Sequence, residues 1–197
     1  MQVSLVQLNT ALGESMYLPY SVALLQAYTE RHARQPERYA FGLPMVHCPD
    51  VRRGAEALSE ADIVGFSTYV WNANRHRAIA RELRARNEQT LMVFGGPHVP
   101  DHPEQFLREN PFIDVVCHGE GEQTFMDIVE RYPHRDWGDV PGVSFFDAAG
   151  RFVTVPKRPR MQDLSAVPSP FLEGVFVPLM AANPQITWRT VWETNRG

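Results

Sequence analysis

Through the first two-thirds of the chain, short apolar runs alternate with stretches whose apolar residues recur at helical spacing. Met1 to Leu8 predicts a first strand and Tyr17 to His32 a helix. Tyr39 to His47 predicts a second strand, made irregular by Gly42 and Pro44 and suited to a sheet edge. A helix from about Val51 to Ala61 leads to Ile63-Val64-Gly65-Phe66-Ser67, whose continuous apolar character is that of a strand buried on both faces. Asn74 to Asn87 predicts the clearest helix, with Ala78, Ile79 and Leu83 on one side and arginines on the other. Leu91 to Phe94 is a fourth strand, ended by Gly95-Gly96-Pro97. A short helix from Pro103 to Glu109, a fifth strand at Asp114 to Cys117 and a helix from Gly121 to Tyr132 complete the series. Such alternation with short connections predicts an α/β fold with helices on both faces of a parallel sheet. Right-handed crossovers leave few topologies, and five strands fit the flavodoxin-like (Rossmann-like) order 2-1-3-4-5.

The pattern changes after Tyr132. Gly142 to Phe146 and Arg151 to Val155, joined by the polar Asp147-Ala148-Ala149-Gly150, predict a β-hairpin. Pro156, Pro159, Pro168, Pro170, Pro178 and Pro184 exclude long helices beyond it, so the stretch reads as a proline-rich linker. Thr187 to Asn195 predicts a last strand, and its abrupt end at Arg196-Gly197 suggests that a larger protein continues. The expected organisation is an α/β domain over 1–135 and a hairpin with linker over 136–197.

Hydrophobic residues make up 44% of the 197 and charged residues 21%, a composition that argues against disorder. A net charge of -4 carries no nucleic-acid footprint. No apolar run approaches the ~20 residues of a membrane span, and the N-terminus has none of the features of a signal peptide. A cytoplasmic protein with neither nucleic acid nor membrane as partner is expected. The two cysteines, Cys48 and Cys117, form no C-x-x-C pair and end apolar runs, where Cys serves as a small hydrophobe.

In an open parallel sheet, ligands bind outside the carboxyl ends of the strands, so the loops there hold the candidate chemistry. The first, Asn9 to Ser15, has a glycine and small polar residues but no G-x-G-x-x-G. The third strand leads into Ser67-Thr68-Tyr69-Val70-Trp71-Asn72; helix capping explains the asparagine but not the two aromatics. Gly95-Gly96-Pro97-His98 permits a tight turn and close approach of a bulky ligand, although such pairs also mark ordinary turns. After the fifth strand, Glu120 and Glu122 stand at a helix start, where the macrodipole alone accounts for acids. His47, His76, His98, His102 and His118 show no metal-ligand spacing, and Pro100 keeps His98 and His102 off a common helical face. Arg75, Arg77, Arg81, Arg84 and Arg86 read as a solvated helix face partly paired with Glu82 and Glu88, or as an interface with a partner domain.

Taken in order, these loops resemble a known family. Asp62 to Tyr69, then Val93 to His98, then Asp114 to Glu122, with helices between them, resemble the cobalamin (B12)-binding domain found ahead of radical S-adenosylmethionine (SAM) domains. Pro141-Gly142-Val143-Ser144 and its hairpin resemble the segment that follows in such proteins, and Asp163 to Pro170 resembles their linker. Glu193 to Gly197 resembles the strand end just before the family's C-x-x-x-C-x-x-C cluster motif.

The resemblance implies cobalamin lying across the carboxyl edge of the sheet. Its nucleotide tail would run between the loops, and its corrin would face a C-terminal radical SAM domain of the same polypeptide. Cofactor-binding residues would be Asn9, Thr10 and Leu12 in the first loop and Ser67, Thr68, Tyr69 and Asn72 on one side. Gly95, Gly96, Pro97 and His98 would line the other side, with Gly119, Glu120 and Gly121 covering the nucleotide end. No catalytic residue or metal ligand is assigned within the domain. The D-x-H-x-x-G of the classical B12 domain is absent from Asn9 to Ser15, which implies base-off binding without a histidine ligand to cobalt. Two cysteines do not supply the three thiolates of a radical SAM [4Fe–4S] cluster, so cluster and SAM would belong to the following domain. The implied reaction is methyl transfer to an unactivated carbon of a small-molecule or peptide substrate, with ring rearrangement or cyclisation also known among relatives. The alternative is a flavodoxin-like binding or sensor module without catalysis, or a B12-type fold that has lost cobalamin. Flavin or nucleotide binding lacks a phosphate fingerprint here, and acyl or glycosyl transfer lacks a nucleophile elbow.

Overall fold

The computed structural model describes residues 1–10, 15–191 and 193. Strand β1 (Gln2–Val6) is followed by a three-residue strand β2 (Ser15–Tyr17) and helix α1 (Tyr20–His32). Next come β3 (Ala40–Phe41), α2 (Val51–Ala57), β4 (Ile63–Ser67) and α3 (Ala73–Arg86). They are followed by β5 (Leu91–Gly95), α4 (Glu104–Glu109), β6 (Val115–Cys117) and α5 (Gly121–Arg131). Hairpin strands β7 (Val143–Phe146) and β8 (Phe152–Thr154) precede α6 (Phe176–Ala182) and β9 (Thr187–Arg189).

The main sheet runs β3-β1-β4-β5-β6-β7-β8, with the first five strands parallel and the hairpin added antiparallel at β6. The expected hairpin thus extends the five parallel strands to a seven-stranded sheet. The hairpin joins the sheet because Val143 and Phe145 point to the same buried face as Val115, which pairs with Phe145. The central strands are apolar on both sides. Val64, Phe66, Met92, Phe94 and Val116 meet α2, α3 and α4 on one face. Ile63, Leu91, Val93, Val115 and Cys117 meet α1 and α5 on the other.

The expected second strand shortens to Ala40–Phe41, with Met45 making only an isolated bridge to Val6. Gly42 and Pro44 lie between them, and proline brings no N–H to a ladder. The helix expected from Tyr17 begins at Tyr20, because Ser15–Tyr17 pairs parallel with Thr187–Arg189 in a separate two-stranded sheet. Val175, with Phe176 and Leu179 of helix α6, packs against Ala23 and Ala27 of α1, and Pro178 stands in the first turn of α6, where no intrahelical N–H is required. Among the described residues no helix is long and apolar enough to cross a membrane.

Candidate functional site

Strands β4, β5 and β6 end at the same edge of the sheet, and their loops surround a cavity of about 820 Å³. The cavity descends along the α1–α5 side, over a floor of Leu24, Leu25, Gly65, Val93, Cys117 and Phe125. Gly65 is needed there: a Cβ would stand 2.9 Å from Leu5 Cδ2 and 3.0 Å from the Phe125 ring. Burial pushes the Cys117 thiol up to about 12, so this floor is neutral and apolar.

Eight of the residues assigned from sequence line the cavity: Ser67, Tyr69, Gly95, Gly96, Pro97, Gly119, Glu120 and Gly121. Gly96 has φ +100°, and a Cβ on it would lie 2.7 Å from both the nitrogen and the oxygen of Thr68. The two loops are pressed together at that point. The Thr68 N–H donates to the Gly95 carbonyl at 2.7 Å, and the His98 N–H donates to the Thr68 carbonyl at 3.1 Å. The Tyr69 hydroxyl sits 2.6 Å from that of Ser21 on α1, which ties the β4 loop to the helix across the cavity. The Tyr69 ring stacks on that of Trp71 at 4.6 Å, and Trp71 is 58% exposed.

The remaining assignments are placed differently. Thr68 and His98 serve the loop–loop contact and are not among the lining residues. Asn72 is buried and holds three backbone groups: it accepts from the Tyr69 N–H and donates to the carbonyls of Leu8 and Ser67. Asn9 donates to the Tyr17 carbonyl at 2.8 Å, away from the cavity, and Thr10 is exposed outside it. Leu12 lies outside the described residues.

Several lining residues escape a reading by strand-end loops. Tyr20 and Ser21 come from the start of α1, and Lys157 to Met161 from the linker after β8. The only local signals are Gly65 inside an apolar strand, a mark of close packing, and the basic run Lys157-Arg158-Pro159-Arg160. His118 also lines the cavity, and its Nε2 lies 3.0 Å from Ser144 Oγ, which continues to Thr154 Oγ1 at 2.9 Å. Burial and, secondarily, the Lys157 charge hold His118 below its ordinary range, favouring the neutral ring. Among the described residues no three His, Cys, Asp or Glu side chains gather as a metal site.

An open α/β sheet with a large, apolar-floored cavity at its carboxyl edge defines a domain built to hold a bulky organic ligand. The sequence model of the B12 binding domain matches residues 19–129, more than half of the chain, and the chain belongs to that family. It is 36% identical over 190 residues to the cobalamin-dependent radical SAM methyltransferase TokK of Streptomyces tokunonensis, covering 94% of this chain and 28% of that protein. It is 37% identical over 187 residues to 2-(S-pantetheinyl)-carbapenam-3-carboxylate methyltransferase of Streptantibioticus cattleyicolor, covering 92% of this chain and 27% of the relative. The chain thus spans just over a quarter of the length of these relatives. In fold it is similar to the apo form of the cobalamin-dependent SAM radical enzyme OxsB, with a TM-score of 0.70 at 21% identity. That match covers all of this chain and 26% of OxsB. The radical SAM methyltransferase TsrM from Kitasatospora setae, with cobalamin and a [4Fe–4S] cluster bound, matches at a TM-score of 0.60 and 20% identity. That match covers 79% of this chain and 30% of TsrM.

The residues present fit a corrinoid. The cavity volume is that of a large-ligand site. Gly95, Gly96, Gly119 and Gly121 line the cavity without side chains, and an apolar floor suits a flat heteroaromatic base.

Proposed function

We propose that this domain binds cobalamin base-off over the carboxyl ends of β4, β5 and β6, with the nucleotide tail in the cavity on the α1–α5 side. The carrying observation is the 820 Å³ cavity, framed by Gly95-Gly96 and Gly119 to Gly121, in a chain of the B12-binding family. Leu24, Leu25, Val93 and Phe125 would exclude water from the buried base, and Tyr69, fixed by Ser21, would hold the rim. The absence of a histidine from Asn9 to Ser15 supports a cobalt without a protein imidazole below it. The one histidine lining the cavity among the described residues, His118, is engaged with Ser144.

Bound cobalamin supplies a transferable methyl group, while the domain holds and orients it. In this reading the domain is the B12 half of a radical SAM methyltransferase acting on an unactivated carbon. SAM and the [4Fe–4S] cluster would sit on a further domain of the same polypeptide. The length of the relatives, of which this chain matches 28% and 27%, supports that arrangement.

The test is to mix the protein with hydroxocobalamin, desalt it and record the visible spectrum. A retained, stoichiometric corrinoid with a base-off spectrum is expected. A base-on or histidine-ligated spectrum removes the base-off assignment, and a full-length protein that emerges colourless removes cobalamin binding.

A further inference from the structure

One wall of the cavity comes from outside the stretch matched by the family. After β8 the chain runs along the cavity as a strap, with Lys157 to Met161 among its lining residues. The strap is fastened at four points. The Gly142 N–H donates to the Pro156 carbonyl at 2.9 Å, and Lys157 Nζ bonds Asp101 Oδ1 at 2.8 Å. Arg158 pairs with Asp127, and the Met161 N–H donates to a Glu120 carboxylate oxygen at 2.7 Å. The Glu120 carboxylate, assigned from sequence to the cofactor, is thus occupied in holding the strap.

The strap brings three cations within four residues to the cavity. Two of them keep unused capacity. Arg160 is exposed and has no acidic partner among the described residues. Arg158 gives one nitrogen to Asp127, but its Nε–H is buried without a hydrogen-bond acceptor among the described residues. A buried donor left unmade costs free energy, and a ligand oxygen would recover it. The opposing floor is apolar, and the carboxylates of Glu120, Glu122 and Glu193 also line the cavity, so the cationic strap is the part of it suited to an anion.

We infer that the strap over residues 156–161 is the anion-binding wall of the cofactor site, with Arg160 as its main contact to the phosphodiester of the nucleotide tail. This rests on the cobalamin reading and deepens it: the α/β domain cradles the base, and the strap selects the charged tail. Phosphodiester and guanidinium match in charge and in the fork of donors that arginine presents.

The test compares cobalamin with cobinamide, the corrinoid that lacks the nucleotide and its phosphodiester. Spectroscopic titrations use the full-length protein, its Arg160→Ala variant and its Arg160→Lys variant. Arg160→Ala is expected to weaken cobalamin binding about tenfold and leave cobinamide affinity unchanged. Arg160→Lys is expected to recover part of the loss, and the Arg160→Ala difference is expected to shrink in high salt. Because Arg160 is exposed, unchanged cobinamide binding also reports an intact fold. Equal weakening of both corrinoids, or no change in either, overturns the strap assignment while cobalamin binding stands. An unsubstituted protein that takes up neither corrinoid overturns the cobalamin reading, and the strap assignment with it.

Discussion

His76 Nε2 accepts a hydrogen bond from the Leu8 backbone N–H at 3.3 Å, joining α3 to the end of β1. The ring is fully buried, lies 5.4 Å from that of Phe66, and has its Nδ1 without a partner among the described residues. Accepting at Nε2 requires the neutral imidazole with its proton on Nδ1. Burial pushes the pKa of His76 down to about 3.

An acid-sensitive stability follows. Between pH 6.5 and about 3 the unfolded chain takes up a proton at His76 that the native state refuses. This contribution is whole above pH 6.5 and declines by about 1.4 kcal/mol per pH unit as pH falls toward 3. Urea midpoints measured across that range should show the slope. His76→Gln, which keeps an acceptor and cannot titrate, should flatten it; an unchanged slope would assign the sensitivity to another group.

Asn72 should be among the costlier polar positions to truncate. Its amide meets Tyr69, Leu8 and Ser67 at 2.8–3.2 Å while 2% exposed. Asn72→Ala leaves those backbone groups to find other partners and should cost about 3 kcal/mol in chemical denaturation. A loss below about 1 kcal/mol would show that water replaces the side chain.

Gly96→Ala tests the closeness of the β4 and β5 loops. The substitution forces a Cβ into Thr68 at a backbone conformation that L-residues avoid. It should cost about 2 kcal/mol or more and reduce corrinoid retention at least tenfold. Full retention would place the ligand away from this turn.

Both thiols should be inert in the native protein. Cys117 is buried and held up to about 12, and Cys48 is buried with its Sγ donating to the Asp50 carbonyl. Titration with a disulfide reagent at pH 8 should detect almost no thiol before denaturation and two afterwards. Rapid native labelling of Cys117 would show that the cavity floor opens.

The central strands were legible because burial on both faces writes continuous apolar runs, as in Ile63–Ser67 and Leu91–Gly95. Gly95-Gly96 was legible for a related reason: residue type there records a backbone constraint. Strand β2 was not, since Ser15-Met16-Tyr17 acquires its conformation from a partner far along the chain. Asn72 looked like a cap or a ligand contact, and its amide instead binds β1 and the β4 loop. The strap's place along the cavity was equally hidden, because Glu120, Asp101 and Asp127 set it from other elements.

The β2–β9 pair has a consequence for the order in which the molecule assembles. Its partners, Ser15 to Tyr17 and Thr187 to Arg189, lie about 170 residues apart in sequence, and two strands alone are marginally stable. The pair gains little until α1 and α6 have docked through Ala23, Ala27 and Phe176. It therefore closes last in folding and opens first in native-state hydrogen exchange, as a clasp whose protection depends on a core already formed.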